Sequence, residues 1–277
     1  MNKQHFCDCS TQNPYRNVNC SSMMLPTPST SHVCFDRVYE PAEDSFLLLD
    51  TLSSNSEAAF LQNRFSNAQT TPPLVLEVGV GSGVVLAFTA ANAERIFGRE
   101  DILTIGTDIN SFACQAAAQT IRTAITEYGH GKTVSLDVVN GDLASCLRPR
   151  SVDVFIFNPP YVPADLPDFA RHEKYNVLPD GQKKTTFEQD SYLLELSYAG
   201  GEDGMVVTNR MLDQIPEILS RGRGVAYVLL CAQNRPEAVK QRIRQWGAGW
   251  LTETVGSSGK QAGWEKLQIV RIWKEQA

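Results

Sequence analysis

The feature that most constrains this chain is Asn158-Pro159-Pro160-Tyr161, set directly after the apolar run Val152–Phe157. Proline has no backbone donor for a ladder, so two in succession end any central strand. The run therefore predicts a buried strand that stops sharply at the rim of a sheet. There the Asn158 side chain and the Pro159 carbonyl are two acceptors beside an aromatic ring. That set suits a planar NH2 group with its two protons. Taken alone, the same residues also read as a tight turn after a strand.

Upstream, Leu74–Val78 predicts a short strand that runs into Gly79-Val80-Gly81-Ser82-Gly83, then a helix over Val84–Ile96. The spacing leaves Val84 where a dinucleotide fingerprint has its third glycine, which points toward a nucleoside ligand without a pyrophosphate. Glu77 stands one residue inside the strand end, as a ligand contact or as a hydrogen-bonded end residue. A second strand, Ile102–Thr107, leads into Asp108, where doubly wound folds grip a ribose diol. The same acid could instead cap the helix Ser111–Tyr128. A third strand, Thr133–Val139, leads to Asp142 and Leu143, an acceptor for an adenine amino group and an apolar cover for the ring. Ligands in open α/β sheets lie beyond the carboxyl ends of the strands, and four successive strand ends here are polar or glycine-rich.

The remaining pattern predicts helices over Glu188–Ala199, Val207–Leu219 (bent or interrupted at Pro216) and Pro236–Trp246, with strands Val225–Cys231, Leu251–Val255 and Leu267–Trp273. The sum is an α/β fold: a seven-stranded, Rossmann-like, doubly wound sheet, mostly parallel with an antiparallel last strand. Thr133–Val139 belongs at one edge of such a sheet. Residues 53–73 read as the end of a first helix and a linker, and residues 1–37 as a mobile tail before a single domain over 38–277.

Net charge is −6, and no Lys/Arg block interleaved with aromatics stands out, which weighs against a nucleic-acid groove. No apolar run reaches the length of a membrane span. The seven cysteines do not form a disulfide framework, and Cys7, Cys9, Cys20 and Cys34 lack paired ligand spacing, so no metal site is expected. Cys114, Cys146 and Cys231 read as small buried hydrophobes, and Trp246, Trp250, Trp264 and Trp273 as packing residues.

Glu77–Gly83, Thr107–Asn110 and Phe157–Pro163 together resemble class I S-adenosylmethionine-dependent methyltransferases, within them the HemK-like glutamine methyltransferases. Val38–Asp50 is similar to the eukaryotic branch that modifies the GGQ-loop glutamine of class I peptide-chain release factors. The resemblance runs from about Val38 to Trp273. It implies a cofactor, S-adenosylmethionine (S-adenosylhomocysteine as product), held by Ser45, Glu77, Gly79, Gly81, Gly83, Asp108, Asp142 and Leu143, with Asn158 close by. It implies a substrate held by Asn158, Pro159, Pro160 and Tyr161, with Asn158, Pro159 and Tyr161 as the catalytic set. It also implies a small zinc-binding activator subunit in a heterodimer, and a cytoplasmic location with the nucleus as a second compartment; the edge position of Thr133–Val139 makes that strand the expected pairing surface. The segment between Pro163 and Gly200 departs from the family pattern. Three other readings remain open: an adenine-N6 methyltransferase acting on DNA, a histone lysine methyltransferase, and a non-catalytic S-adenosylmethionine-binding module.

Overall fold

The computed structural model describes residues 25–129, 132–179, 184–259 and 266–275. Two helices lead, α1 (Glu43–Ser53) and α2 (Asn55–Phe65). Strand and helix then alternate: β1 (Leu74–Val78), α3 (Val84–Ala91), α4 (Ala93–Phe97), β2 (Leu103–Asp108), α5 (Ser111–Tyr128), β3 (Val134–Asn140) and β4 (Val154–Phe157). After β4 come α6 (His172–Tyr175), α7 (Phe187–Tyr198) and α8 (Val206–Ile218). The chain closes with β5 (Val225–Cys231), α9 (Pro236–Arg244), β6 (Trp250–Ser257) and β7 (Leu267–Lys274).

The strands form one sheet in the order β3-β2-β1-β4-β5-β7-β6. Pairing is parallel from β3 to β5, and β7 runs antiparallel to both of its neighbours. This is the expected doubly wound sheet with a reversed last strand, and β3 is at its edge as anticipated. Val-, Phe- and Leu-rich β4 and β5 are buried along their whole length, as strands covered by helices on both faces must be. Alternate residues supply two cores. Val154, Ile156, Tyr227 and Leu229 pack with α1 to α5, while Phe155, Phe157, Val228 and Leu230 pack with α8 and α9.

Several expectations shift. Residues 53–73 hold α2, a second helix rather than a linker, because the Ser54 hydroxyl accepts the Glu57 N–H and starts it. α2 is then fastened from within the core: Arg271 donates to both oxygens of Glu57 at 2.7 and 2.9 Å, and Tyr227 donates to one of them at 2.9 Å. The helix expected over Val84–Ile96 divides at Asn92 into α3 and α4. α8 continues through Pro216, which sits in its last turn, where a missing donor costs one bond near the helix end. The tail expected over residues 1–37 gives way before its end. Val33 and Val38 are buried with Phe112, Tyr192 and Leu193, and His32 bonds the Ala116 carbonyl at 3.0 Å. Residues 1–24 lie outside the described residues. Cys114 and Cys231 are buried as expected, but Cys146 is exposed, because the turn after Leu143 carries it outward. Trp246 packs edge-on against Trp250, and Trp273 against Phe60, whereas Trp264 lies outside the described residues.

Gly83 holds the two helices beside the glycine turn together. It starts α3 with φ +81°, and a Cβ there would stand 2.7 Å from the Ala117 Cα on α5. Gly83→Ala combines left-handed strain with overpacking, so unfolding in urea should show a loss of roughly 2–4 kcal/mol.

Candidate functional site

One cavity of about 340 Å3 opens along the carboxyl ends of β1, β2, β3 and β4. Its wall includes Ser45, Glu77, Gly79, Gly81, Asp108, Asp142, Leu143, Asn158, Pro159, Pro160 and Tyr161. These residues come from five separate stretches of chain, and parallel strands bring them to one rim. Gly83 is absent from that wall. Its neighbours Ser82 and Val84 are on the wall, and its own backbone lies against Ala117 of α5.

β1 delivers Glu77 to the cavity, and the carboxylate accepts the Leu86 N–H at 2.9 Å. That donor lies in the first turn of α3, among the orphan N–H groups that a helix start leaves. Burial raises the Glu77 carboxyl well above its usual range, and the Leu86 bond opposes the rise. β2 delivers Asp108, whose two oxygens accept from Gly81 N at 2.9 Å and Asn110 N at 2.8 Å. Its carboxyl is pushed up to about 6 by loss of water, against the pull of these N–H groups. Asp108 does not cap α5. The Asn110 side chain does so, accepting from Phe112 N and Ala113 N at 2.9 and 3.3 Å. The Asp108 carboxylate is left at the cavity wall with acceptor capacity beyond its two backbone bonds.

Beyond β3, Leu143 is buried at φ +53°, and its carbonyl accepts the Thr107 hydroxyl at 2.8 Å. The Asp142 carboxylate is paired with Arg210 of α8, a cavity residue that the sequence pattern did not single out.

β4 ends in Asn158. Its Nδ2 donates to Asp44 Oδ2 at 3.1 Å, and its Oδ1 is buried without a partner among the described residues. Asp44 lies in the first turn of α1 and also lines the cavity. It was missed because an acid in a first helical turn reads as ordinary dipole compensation.

The Pro160–Tyr161 backbone rests on a second loop, also missed. A Cβ on Gly204 would fall 2.0 Å from the Tyr161 carbonyl oxygen, and one on Gly200 2.3 Å from that of Pro160. Asn234, 3% exposed, reaches the carbonyls of Asp203, Gly204 and Tyr161 at 3.1–3.4 Å. Only glycine permits that approach, and a Gly200-Gly201-Glu202-Asp203-Gly204 string reads as a plain loop.

These residues fit a nucleoside cofactor: a concave wall, two carboxylates at strand ends, a backbone that comes close at left-handed glycines, and an unfilled acceptor beside them. No protein-family model matches the chain. It is similar to Methyltransferase HEMK2 of Mus musculus, with 35% identity over 90% of this chain and 97% of that one. HEMK2 of Homo sapiens is 34% identical, over 90% of this chain and 96% of that one. The eRF1 methyltransferase catalytic subunit mtq2 of Schizosaccharomyces pombe is 30% identical, over 91% and 96% respectively.

Asp108 gives a measurable signature. Its ionised form is the one that can accept from two ribose hydroxyls. S-adenosylmethionine affinity should therefore hold above pH about 6 and weaken as the carboxyl protonates below it. One proton sets a limit of about tenfold per pH unit. Asp108→Ala should weaken binding roughly 10- to 100-fold, read by titration calorimetry between acid and neutral pH.

Proposed function

This chain belongs to the methyltransferase family of HEMK2 and the eRF1 methyltransferase catalytic subunit, and we propose that its acceptor is the side-chain amide nitrogen of a glutamine in a class I peptide-chain release factor. It is an S-adenosylmethionine-dependent methyltransferase. The observation that carries the proposal is the Asn158 amide, whose Oδ1 is buried and unfilled beside Pro159 and Tyr161 on the cavity wall. A buried acceptor left without a donor costs about 1–3 kcal/mol, so its natural complement is an N–H supplied by substrate.

When bound, S-adenosylmethionine supplies an electrophilic methyl on a sulfonium leaving group. The chain's own residues have to make a poor nucleophile competent, because an amide lone pair is delocalised into its carbonyl. Asn158 Oδ1 and the Pro159 carbonyl accept the two N–H groups. That fixes the amide plane and raises electron density on nitrogen. Tyr161 supplies an aromatic wall. No strong base is needed to prepare the acceptor, since a neutral amide already carries its lone pair. As the N–CH3 bond forms, the S–CH3 bond breaks, and the N-protonated amide, a strong acid, then releases one proton to water; a lysine ammonium has no lone pair and would have to lose its proton before it could attack. The acidic balance of the chain and the name of the S. pombe relative support a release factor over DNA.

A heterodimer with a small zinc-binding activator subunit belongs to the same proposal. β3 supports it: this edge strand is largely open, and Val134 and Leu136 are 49% and 51% exposed. An open apolar edge invites a strand from another chain. Leu136→Lys should abolish co-purification with the activator while S-adenosylmethionine binding by the surviving chain is unchanged.

The substrate assignment is tested by transfer of labelled methyl to three acceptors: an intact release factor, the same factor with its GGQ glutamine replaced, and DNA. Label should appear on the intact factor alone, and label on either of the others refutes the assignment. Asn158→Ala should lower turnover roughly 100-fold or more while cofactor affinity is retained.

A further inference from the structure

We propose that Asp44 is a positioning and specificity residue: it fixes which arm of the Asn158 amide is free, so that the site offers an acceptor, admits a primary amide and rejects a carboxylate. The inference rests on the amide-acceptor reading above and adds to it a residue that acts through Asn158.

The two arms of an asparagine amide are nearly the same shape, and only their hydrogen-bond character tells them apart. A lone asparagine at a strand end can present either one. Asp44 removes the choice, because an ionised carboxylate only accepts. At 3.1 Å from Asp44 Oδ2 the Asn158 side chain must place its NH2, and Oδ1 becomes the free arm. Turning the amide over would bring two acceptors together and strand the NH2.

The hydrogen bonds of Asp44 divide between two tasks. Oδ1 accepts from Ser45 N at 2.6 Å and Ser45 Oγ at 3.2 Å, which serves the first turn of α1. Oδ2 accepts from Tyr39 at 3.1 Å and from Asn158. Four donors therefore meet the carboxylate of a residue that is only 3% exposed, so its buried oxygens are hydrogen-bonded. A carboxylate present only to hold α1 would need Oδ1 alone. The Oδ2 pair instead spans three stretches of the cavity wall: Tyr39, Asp44 and Asn158.

The consequence for specificity follows from sign. Glutamine offers Asn158 an N–H, whereas glutamate of the same shape offers a lone pair. Sites built around a buried hydrogen-bonding group reject the mismatched isostere strongly, because the group is left facing its own kind. Discrimination here then depends on Asp44 as much as on Asn158.

Asp44→Asn is close to isosteric but can offer Asn158 either a carbonyl or an NH2, so the lock is lost. For a glutamine peptide from the release-factor loop, kcat should fall roughly 10- to 100-fold while the S-adenosylmethionine Kd stays within about threefold. The same peptide with glutamate, assayed as a competitive inhibitor, should gain on the glutamine peptide: the ratio of its Ki to the glutamine KM should drop by about tenfold or more. An unchanged ratio, or cofactor affinity lost in step with kcat, overturns the proposal and makes Asp44 a structural residue. The side-chain NH2 signals of Asn158 in the full-length protein, identified by their loss in Asn158→Ala, give a second readout that needs neither peptide nor Asp44 variant. One of the two protons should be protected from exchange in the wild type, and two freely exchanging protons overturn the lock. If the wild type fails to methylate the glutamine peptide, the substrate assignment falls, and the NMR result still decides the role of Asp44.

Discussion

The carboxyl rim depends on one residue, Asp108, which ties three strand ends together. Its side chain holds the glycine turn after β1 through Gly81 N and its own β2 exit through Asn110 N. Its carbonyl accepts from Gly141 N and Asn140 Nδ2, both at 2.9 Å, which brings in the end of β3. An acid at this point is costly, as the rise of its carboxyl to about 6 records. The N–H groups that converge on it offset part of that cost and remain in place as the wall of a nucleoside pocket. The arrangement also leaves Asn110 free to cap α5, so helix and pocket share one turn.

The other half of the site is held by backbone contact more than by charge. Tyr161 and Pro160 lie so close to Gly204 and Gly200 that a single methyl on either glycine would overlap a carbonyl oxygen. Of the four non-glycine residues with positive φ among the described residues, two lie at this support and one on the cavity wall. Leu143 is on the cavity wall, Asp203 precedes Gly204, and Arg235 follows Asn234. Strained backbone persists where its surroundings over-determine it, and at Asp203 and Arg235 those surroundings are the support of the acceptor loop. The site is thus prepared at two levels: a loop fixed by contact, and within it an amide fixed by a carboxylate.

Much of this was legible from local pattern. β1, β4 and β5 read as strands because their apolar runs have the length of a sheet core, and Asn158-Pro159-Pro160 could only end one. Asp108 and Asp142 could be named as pocket acids because each stands at or just beyond a strand end. Gly83 shows where local pattern stops. A glycine in a glycine-rich turn serves a ligand or a neighbouring helix with the same φ, and only the position of Ala117 separates the two. Cys146, expected to be buried, is exposed, since a loop residue's burial is set by where the turn points.

By itself, the sequence determined the order of elements, the doubly wound sheet and the strand ends that carry function, because periodicity and proline chemistry act over a few residues. Tertiary structure alone decided which side chains meet. Asp44 and Asn158 are 114 positions apart, and Tyr161 and Asn234 are 73 apart. No local spacing encodes either pair. Whether an asparagine presents its oxygen or its nitrogen depends on the group across from it, and that group arrives only when α1 packs against the end of β4.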